Sequence, residues 1–133
     1  MNMFPDLITI INVVDKKGIK EYYYHVISGV LFENNSKYIT KQYGVDNADL
    51  KVCYIPLKSM LEKYVDEITY KNLEDEAKAE YVTLKNGDYI VKGLVSSDIG
   101  VNDLRLYFND VMKISSIDFM LRGNLQHFEV FGA

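Results

Sequence analysis

The strongest restriction on the fold of this chain is that its apolar runs are short, β-rich and separated by turn chemistry. "LITIINVV" at Leu7–Val14 is nearly continuous and β-branched, "DKKG" at Asp15–Gly18 supplies a turn, and "IKEYYYHVI" begins a second run at Ile19. β-branched and aromatic side chains are stiff in a helix and pack well on a pleated surface, so these runs predict an opening hairpin. "GVLFE" at Gly29–Glu33 follows a brief break at Ser28 and Gly29, and "LKVCYIPL" at Leu50–Leu57 is a further strand that Pro56 limits at its end. "DVMKISSIDFM" and "HFEVFG", joined by "LRGN" at Leu121–Asn124, predict a closing hairpin. The expected fold is mainly β: a small antiparallel barrel or sandwich of about seven strands, with one or two short helices and long loops.

Between two apolar runs the chain reads "YVTLKNGDYIVKG", Tyr81–Gly93. A phosphate-cradling loop needs several glycines and must open a helix. Here Gly87 is followed by Asp88, Tyr89, Ile90 and Val91, a β-prone run led by a carboxylate. Asn-Gly is instead the strongest two-residue hairpin signal, because a type I′ turn needs φ > 0 at both central residues. With Asn86 and Gly87 as a structural turn, Lys85 pairs with Asp88 and Leu84 with Tyr89. Val82, Leu84, Tyr89 and Val91 then share one face, and only Ile90 is out of place.

Two stretches break the strand pattern. Asn34–Asp49 is rich in Asn, Asp, Ser and Gly and reads as a long excursion with one short strand. Lys58–Glu80 reads as helical: Ser59 and Glu62 have capping-box spacing, Tyr70, Leu73 and Ala77 share one face, and Glu74 precedes Lys78 by four. From Glu62 to Glu80 the acids Glu62, Asp66, Glu67, Glu74, Asp75, Glu76 and Glu80 face Lys63, Lys71 and Lys78, a net charge of −4 equal to that of the whole chain. A solvated helix face explains such a run; so does a surface that repels phosphate. "SSDIGVNDLRLYF" adds a further helical turn or two, with Leu104 and Phe108 at i, i+4 spacing.

With 133 residues, 48% hydrophobic and 26% charged, the chain fits one globular domain, 1–133, with no internal repeat or linker. Cys53 is the single cysteine and sits in an apolar run, which predicts a small buried residue. "MNMFPDLITI" lacks a basic region followed by an apolar core, and no run is long enough to cross a membrane, so a cytoplasmic protein without a membrane partner is expected. An acidic chain does not have the basic footprint of a general nucleic-acid binder.

Chemistry-bearing motifs are sparse. His25 and His127 stand far apart, with no H-x-H or H-E-x-x-H spacing, no P-loop and no G-x-S-x-G elbow. An enzyme would need His25, His127, Glu129 and Cys53 to converge in one cleft; the expectation is no enzyme, no metal and no cofactor. "EYYYHV" beside Lys16, Lys17 and Lys20 invites base stacking, as in barrels that bind single-stranded nucleic acid. Strand alternation divides it, however, sending Tyr22 and Tyr24 one way and Tyr23 and His25 the other.

The order of "ITIINV", "EYYYHVISGVLFE", "YVTLKNGDYIVKG" and "DVMKISSIDFMLRGNLQHFEVFGA" resembles a family of small neck proteins. These are encoded in prophages of Gram-positive bacteria, between capsid and tail genes. I-T-I/V-Y-like and Y-x-x-V-x-x-G-V-x-W-like strands, a T-L-x-x-G-D-x-I-V-K-G hairpin and an H-W-E-V-x-G terminus recur there. The likeness spans nearly the whole chain; Phe32 and Phe128 stand where that pattern has Trp. The resemblance implies a head-closure or stopper protein built around a small β-barrel, located in the virion neck and assembled in the host cytoplasm. It implies a homo-oligomeric ring, hexameric by expectation, between adaptor and portal proteins on the head side and the tail terminator on the tail side, with phage DNA passing through. A tail terminator or tail-tube component is the alternative within the same particle. On this reading the acidic segment is a candidate channel-facing or interface loop.

Overall fold

A computed structural model describes residues 3–34, 50–122 and 125–133. The expected excursion at Asn34–Asp49 thus lies, beyond Asn34, outside the described residues, as do Gly123 and Asn124 of the closing turn. Among the described residues there are six strands: β1 (Asp6–Lys16), β2 (Ile19–Glu33), β3 (Lys51–Pro56), β4 (Tyr89–Lys92), β5 (Val111–Arg122) and β6 (Leu125–Gly132). Every neighbouring pair is antiparallel, and the order β1-β2-β3-β6-β5-β4 closes on itself as a barrel. The opening and closing hairpins form as expected. The break read at Ser28–Gly29 is instead a bulge within one long strand.

That bulge is part of how the sheet closes. Asp6 pairs with Val30 and Leu7 with Ser28, which leaves Gly29 as the extra residue, at φ +76°. Below it β2 pairs with β1; above it Leu31–Glu33 pair with β3. β5 behaves alike: Val111–Lys113 pair with β4, then Ile114 and Ser116 meet Gly132 and Phe131 across a bulge at Ser115, and the rest follows β6. Bulges bend a strand and increase its twist, so β2 and β5 each turn a corner.

Alternation gives the barrel two cores. Ile8, Ile10, Ile27, Ile55, Ile90, Met112, Phe128 and Val130 point inward into the main cluster. Ile11, Val91 and Val111 point outward, and Val95, Leu104 and Phe108 cover them from the connection between β4 and β5. That connection carries a 3₁₀ turn (Val101–Asp103) and helix α3 (Leu104–Tyr107), ending in the bond from Phe108 N–H to Leu104 C=O (2.9 Å). The i, i+4 spacing of Leu104 and Phe108 had marked this turn.

The Asn-Gly hairpin does not form. Asp88 N–H bonds Lys85 C=O at 3.2 Å, so the turn itself exists, and Gly87 has φ +93°; Asn86 is not among the residues with positive φ, which excludes type I′. Residues 82–85 are not a strand, and β4 pairs with β1 and β5 instead. Val82, Leu84 and Ile90 therefore share the main core, whereas Tyr89 and Val91 face the outer one. Ile90, the residue the hairpin reading left out of place, is fully buried.

A buried polar group explains why tertiary structure prevails here. Asn12, fully buried in β1, donates to Thr83 C=O (2.8 Å) and accepts from Thr83 N–H (3.2 Å), the two bonds that a strand partner would make. Asp88 accepts from Asn12 Nδ2 (2.8 Å) and Val13 N–H (3.0 Å) and is paired with Lys85, whose Nζ also donates to Val13 C=O (2.5 Å). Where β4 ends, side chains continue its hydrogen bonding along β1. Burial pushes the Asp88 carboxyl up, against the opposing pull of Lys85, Val13 and Asn12.

Candidate functional site

The acidic segment is the connection between β3 and β4. After Pro56 a 3₁₀ turn (Leu57–Met60) buries Met60 in the main core. The capping box expected at Ser59 and Glu62 is absent. Ser59 Oγ donates to Gly29 C=O (2.8 Å), at the bulge of β2, and Glu62 sits at φ +72° past the end of the turn. The β2 corner claims the hydroxyl that a helix cap would have used.

Two short helices replace the single one suggested by Tyr70, Leu73 and Ala77. Asp66 caps α1 (Glu67–Lys71) by accepting from Thr69 N–H at 2.7 Å, and these N–H groups hold its carboxyl below the usual carboxylate range. Asn72 Nδ2 bonds back to Ile68 C=O (3.1 Å), Glu74 is extended at φ −68° and ψ 158°, and α2 (Asp75–Lys78) starts afresh. A second acidic N-terminus, with Asp75 and Glu76 in its first turn, follows the same dipole logic as the first.

The segment is tied to the barrel at three places. At its base, Val65 N–H bonds Val82 C=O (3.0 Å) and Val82 N–H bonds Lys63 C=O (2.8 Å). In its middle, Tyr70 is 1% exposed and donates to Lys78 C=O (2.9 Å), while its oxygen lies 3.4 Å from His25 Nε2. Lys78, 3% exposed, turns its ammonium back to Leu73 C=O (2.5 Å). At its tip, Asp75 accepts from Lys16 (2.5 Å) and from Tyr23, which holds its carboxyl low. Lys16, Lys71, Glu74, Asp75, Glu76 and Lys78 line a shallow open cleft of about 510 Å³ there.

Of the seven acids singled out, Asp66 caps a helix and Asp75 makes an ion pair. Glu62, Glu67, Glu74, Glu76 and Glu80 are exposed. Asn86 and Gly87 form the turn that leads into β4. Asn12, Thr9, Tyr70 and Lys78 carry contacts that pattern reading missed. The available signal was a polar residue inside an apolar run, as Asn12 is within "LITIINVV".

His25, Cys53, His127 and Glu129 do not meet in one cleft. His25 points into the barrel wall against Tyr70, and Cys53 is buried in the main core, where burial pushes its thiol up. His127 and Glu129 share the opposite, outer face of β6, with Nε2 3.0 Å from Oε2. No group of three or more His, Cys, Asp or Glu side chains arranged to hold a metal occurs among the described residues. The tyrosine run divides as alternation requires: Tyr24 donates to Ile99 C=O (2.6 Å) under the β4–β5 connection, Tyr23 reaches Asp75, and Tyr22 is 38% exposed.

The described residues thus define a closed six-stranded antiparallel barrel with an acidic, helix-bearing insertion between β3 and β4. The chain belongs to the family described as "Family of unknown function (DUF6751)", whose profile matches residues 4–133. No curated protein and no solved structure matches it.

Proposed function

We propose that this protein is a structural component of the head-to-tail neck of a tailed phage, forming a ring, hexameric by expectation, between adaptor and tail terminator. The observation that carries the reading is the succession of strand and turn motifs along nearly the whole chain. A closed barrel suits the role: it has no continuous free edge to invite uncontrolled stacking, and it holds the insertion between β3 and β4 in a fixed position for neighbouring rings. Exposed Glu67, Glu74 and Glu76 suit a surface past which DNA slides, because repetition around a ring multiplies their repulsion of phosphate. The chain supplies position and charge, and it binds portal-side and tail-side proteins rather than a substrate.

The test is a reconstruction of a particle whose genome encodes this chain, paired with deletion of its gene. The expected result is density for the barrel in a ring at the head-to-tail junction, and deletion particles that have filled heads, lose DNA and lack tails. Normal tailed particles in the deletion strain, or barrel density elsewhere in the virion, overturn the proposal.

A further inference from the structure

Closure leaves the barrel without an edge that runs its whole length, yet two shorter edges remain where β2 and β5 turn their corners. β3 pairs with β2 only at residues 31–33, so along residues 20–26 of β2 one side has no ladder among the described residues. β4 pairs with β5 only at residues 111–113, and Ile114 exchanges backbone bonds with Gly87 and Asp88. Beyond the bulge, the side of β5 that faces away from β6 has no ladder among the described residues either. Such an edge presents a row of backbone N–H and C=O groups that another extended chain matches in spacing.

The groups that face outward follow from bonds made on the other side. Val13 lies opposite Tyr22, yet its N–H donates to the Asp88 carboxylate (3.0 Å) and its C=O accepts from Lys85 (2.5 Å), both away from β2. The Val13–Tyr22 pair is therefore of the kind without hydrogen bonds, and alternation turns the N–H and C=O of Lys20, Tyr22, Tyr24 and Val26 to the open side. On the other edge, Phe131 C=O accepts from Ser115 Oγ (3.1 Å) and so faces β5. Counting by two, Glu129 and His127 face it as well, their partners Asp118 and Met120 bond β6, and Ile117 and Phe119 turn outward. Several of these outward residues carry apolar side chains that the fold leaves half covered: Tyr22 is 38% exposed, Val26 40% and Phe119 43%. An open cleft of about 440 Å³ lies beside residues 20–24, walled by Ser97, Asp98 and Gly100, and leaves room along that edge.

We propose that copies of this chain join in a row by strand addition, residues 20–26 of β2 in one copy pairing with residues 117–120 of β5 in the next. Paired residues project their side chains to one face of a sheet, so the contact sets Phe119 among Tyr22, Tyr24 and Val26 while it satisfies both sets of backbone groups. A second copy is the occupant because one contact, repeated, covers both edges of every molecule in the row. An extended segment of another protein covers one edge and leaves the other open. Pairing of like edges is poorer: two β5 edges about a two-fold axis, with Ile117 opposite Phe119, put Asp118 against Asp118, and two β2 edges leave Phe119 exposed. Unlike edges make a heterologous contact, which closes as a ring or runs on as a filament according to the rotation between copies. The pairing rests on the two edges, and its closure into a ring rests on the neck reading. A neck ring joined through other surfaces overturns only the pairing, and the same pairing in a chain located elsewhere in the virion overturns only the neck reading.

Introduced cysteines test the contact, since the native Cys53 is buried in the main core. Full-length Tyr22→Cys and Phe119→Cys are mixed at millimolar concentration, treated with a short bismaleimide and sized on a denaturing gel. The mixture is expected to give a cross-linked dimer that neither variant gives alone, and the double variant a ladder of multimers. No cross-link in the mixture overturns the proposal, as do dimers formed as readily by either variant alone. Should Phe119→Cys fail to fold for want of its contact with Phe128, amide hydrogen exchange of the parent chain gives the answer. Between micromolar and millimolar chain, the amides of Tyr22, Tyr24, Ile117 and Phe119 are expected to gain about tenfold in protection, the gain that follows when the chain exceeds its Kd by about that factor. Those of Tyr23 and Asp118, bonded within the barrel, are expected to keep theirs. Equal protection of the outward amides at both concentrations overturns the pairing.

Discussion

Thr83 belongs to no ladder, yet its N–H and C=O are both bonded to the side chain of Asn12, so one residue of β1 substitutes for a strand. Thr9 has a comparable role on the other face. Its hydroxyl, fully buried, donates to Gly93 C=O (2.8 Å) and accepts from Val95 N–H (3.0 Å), fixing the start of the β4–β5 connection. Thr9→Val keeps the shape and leaves both backbone groups unpaired, and is expected to lower stability by about 1–3 kcal/mol in urea unfolding. Asp88→Ala removes a carboxylate that serves three donors and leaves the Lys85 ammonium with no counter-charge, only the Val13 carbonyl. About 3–5 kcal/mol is the expected loss, since removing one member of a buried ion pair strands the other. A loss below 1 kcal/mol for Asp88→Ala would show that the network is not what holds residues 83–88 against β1.

At the scale of elements, glycines with positive φ separate strain from contact. A Cβ on Gly87 meets nothing within 4 Å, so Gly87→Val reports backbone strain alone, about 1–2 kcal/mol. A Cβ on Gly29 lands 2.9 Å from Ser59 Oγ, the hydroxyl that bonds Gly29's own carbonyl. Gly29→Val is therefore expected to destabilise more than Gly87→Val, and equal midpoints in parallel denaturation curves would count against a tight β2 corner. These two sites also mark what could be read locally. Gly29 and Asn86-Gly87 were both legible as interruptions, because a residue free to adopt φ > 0 is a local property. Whether the interruption becomes a bulge inside a strand or a turn before one depends on what lies across from it. Ser59 and Glu62 mislead for the same reason: their spacing satisfies a local rule, and a distant carbonyl claims the hydroxyl.

For the whole molecule, the acidic segment supplies the charge and the barrel decides where that charge sits. Glu74→Lys with Glu76→Lys puts two cations at the N-terminus of α2 and is expected to lower stability modestly, by about 1 kcal/mol, without unfolding the barrel. Asp75→Lys, which breaks the exposed tie to Lys16, is expected to move the melting curve little, because solvent screens an exposed ion pair. If the chain is a neck ring, the Glu74/Glu76 variant should still assemble and should impair DNA retention or ejection, measured by packaged DNA per particle; unchanged retention would remove the segment from the channel. Alternation and turn chemistry in the sequence by themselves determined a mainly β chain, its opening and closing hairpins, the division of Tyr22–His25 between two faces, and the site of the charge. These are short-range properties, set within a few residues by pleat and backbone sterics. Only the tertiary structure decided that β4 lies between β1 and β5, that β2 and β5 each turn a corner at a bulge, and that Asn12, Asp88, His25 and Tyr70 hold the segments between strands. Such choices are made by burial and hydrogen-bond satisfaction between residues some 45 to 76 positions apart, and no local pattern carries that information.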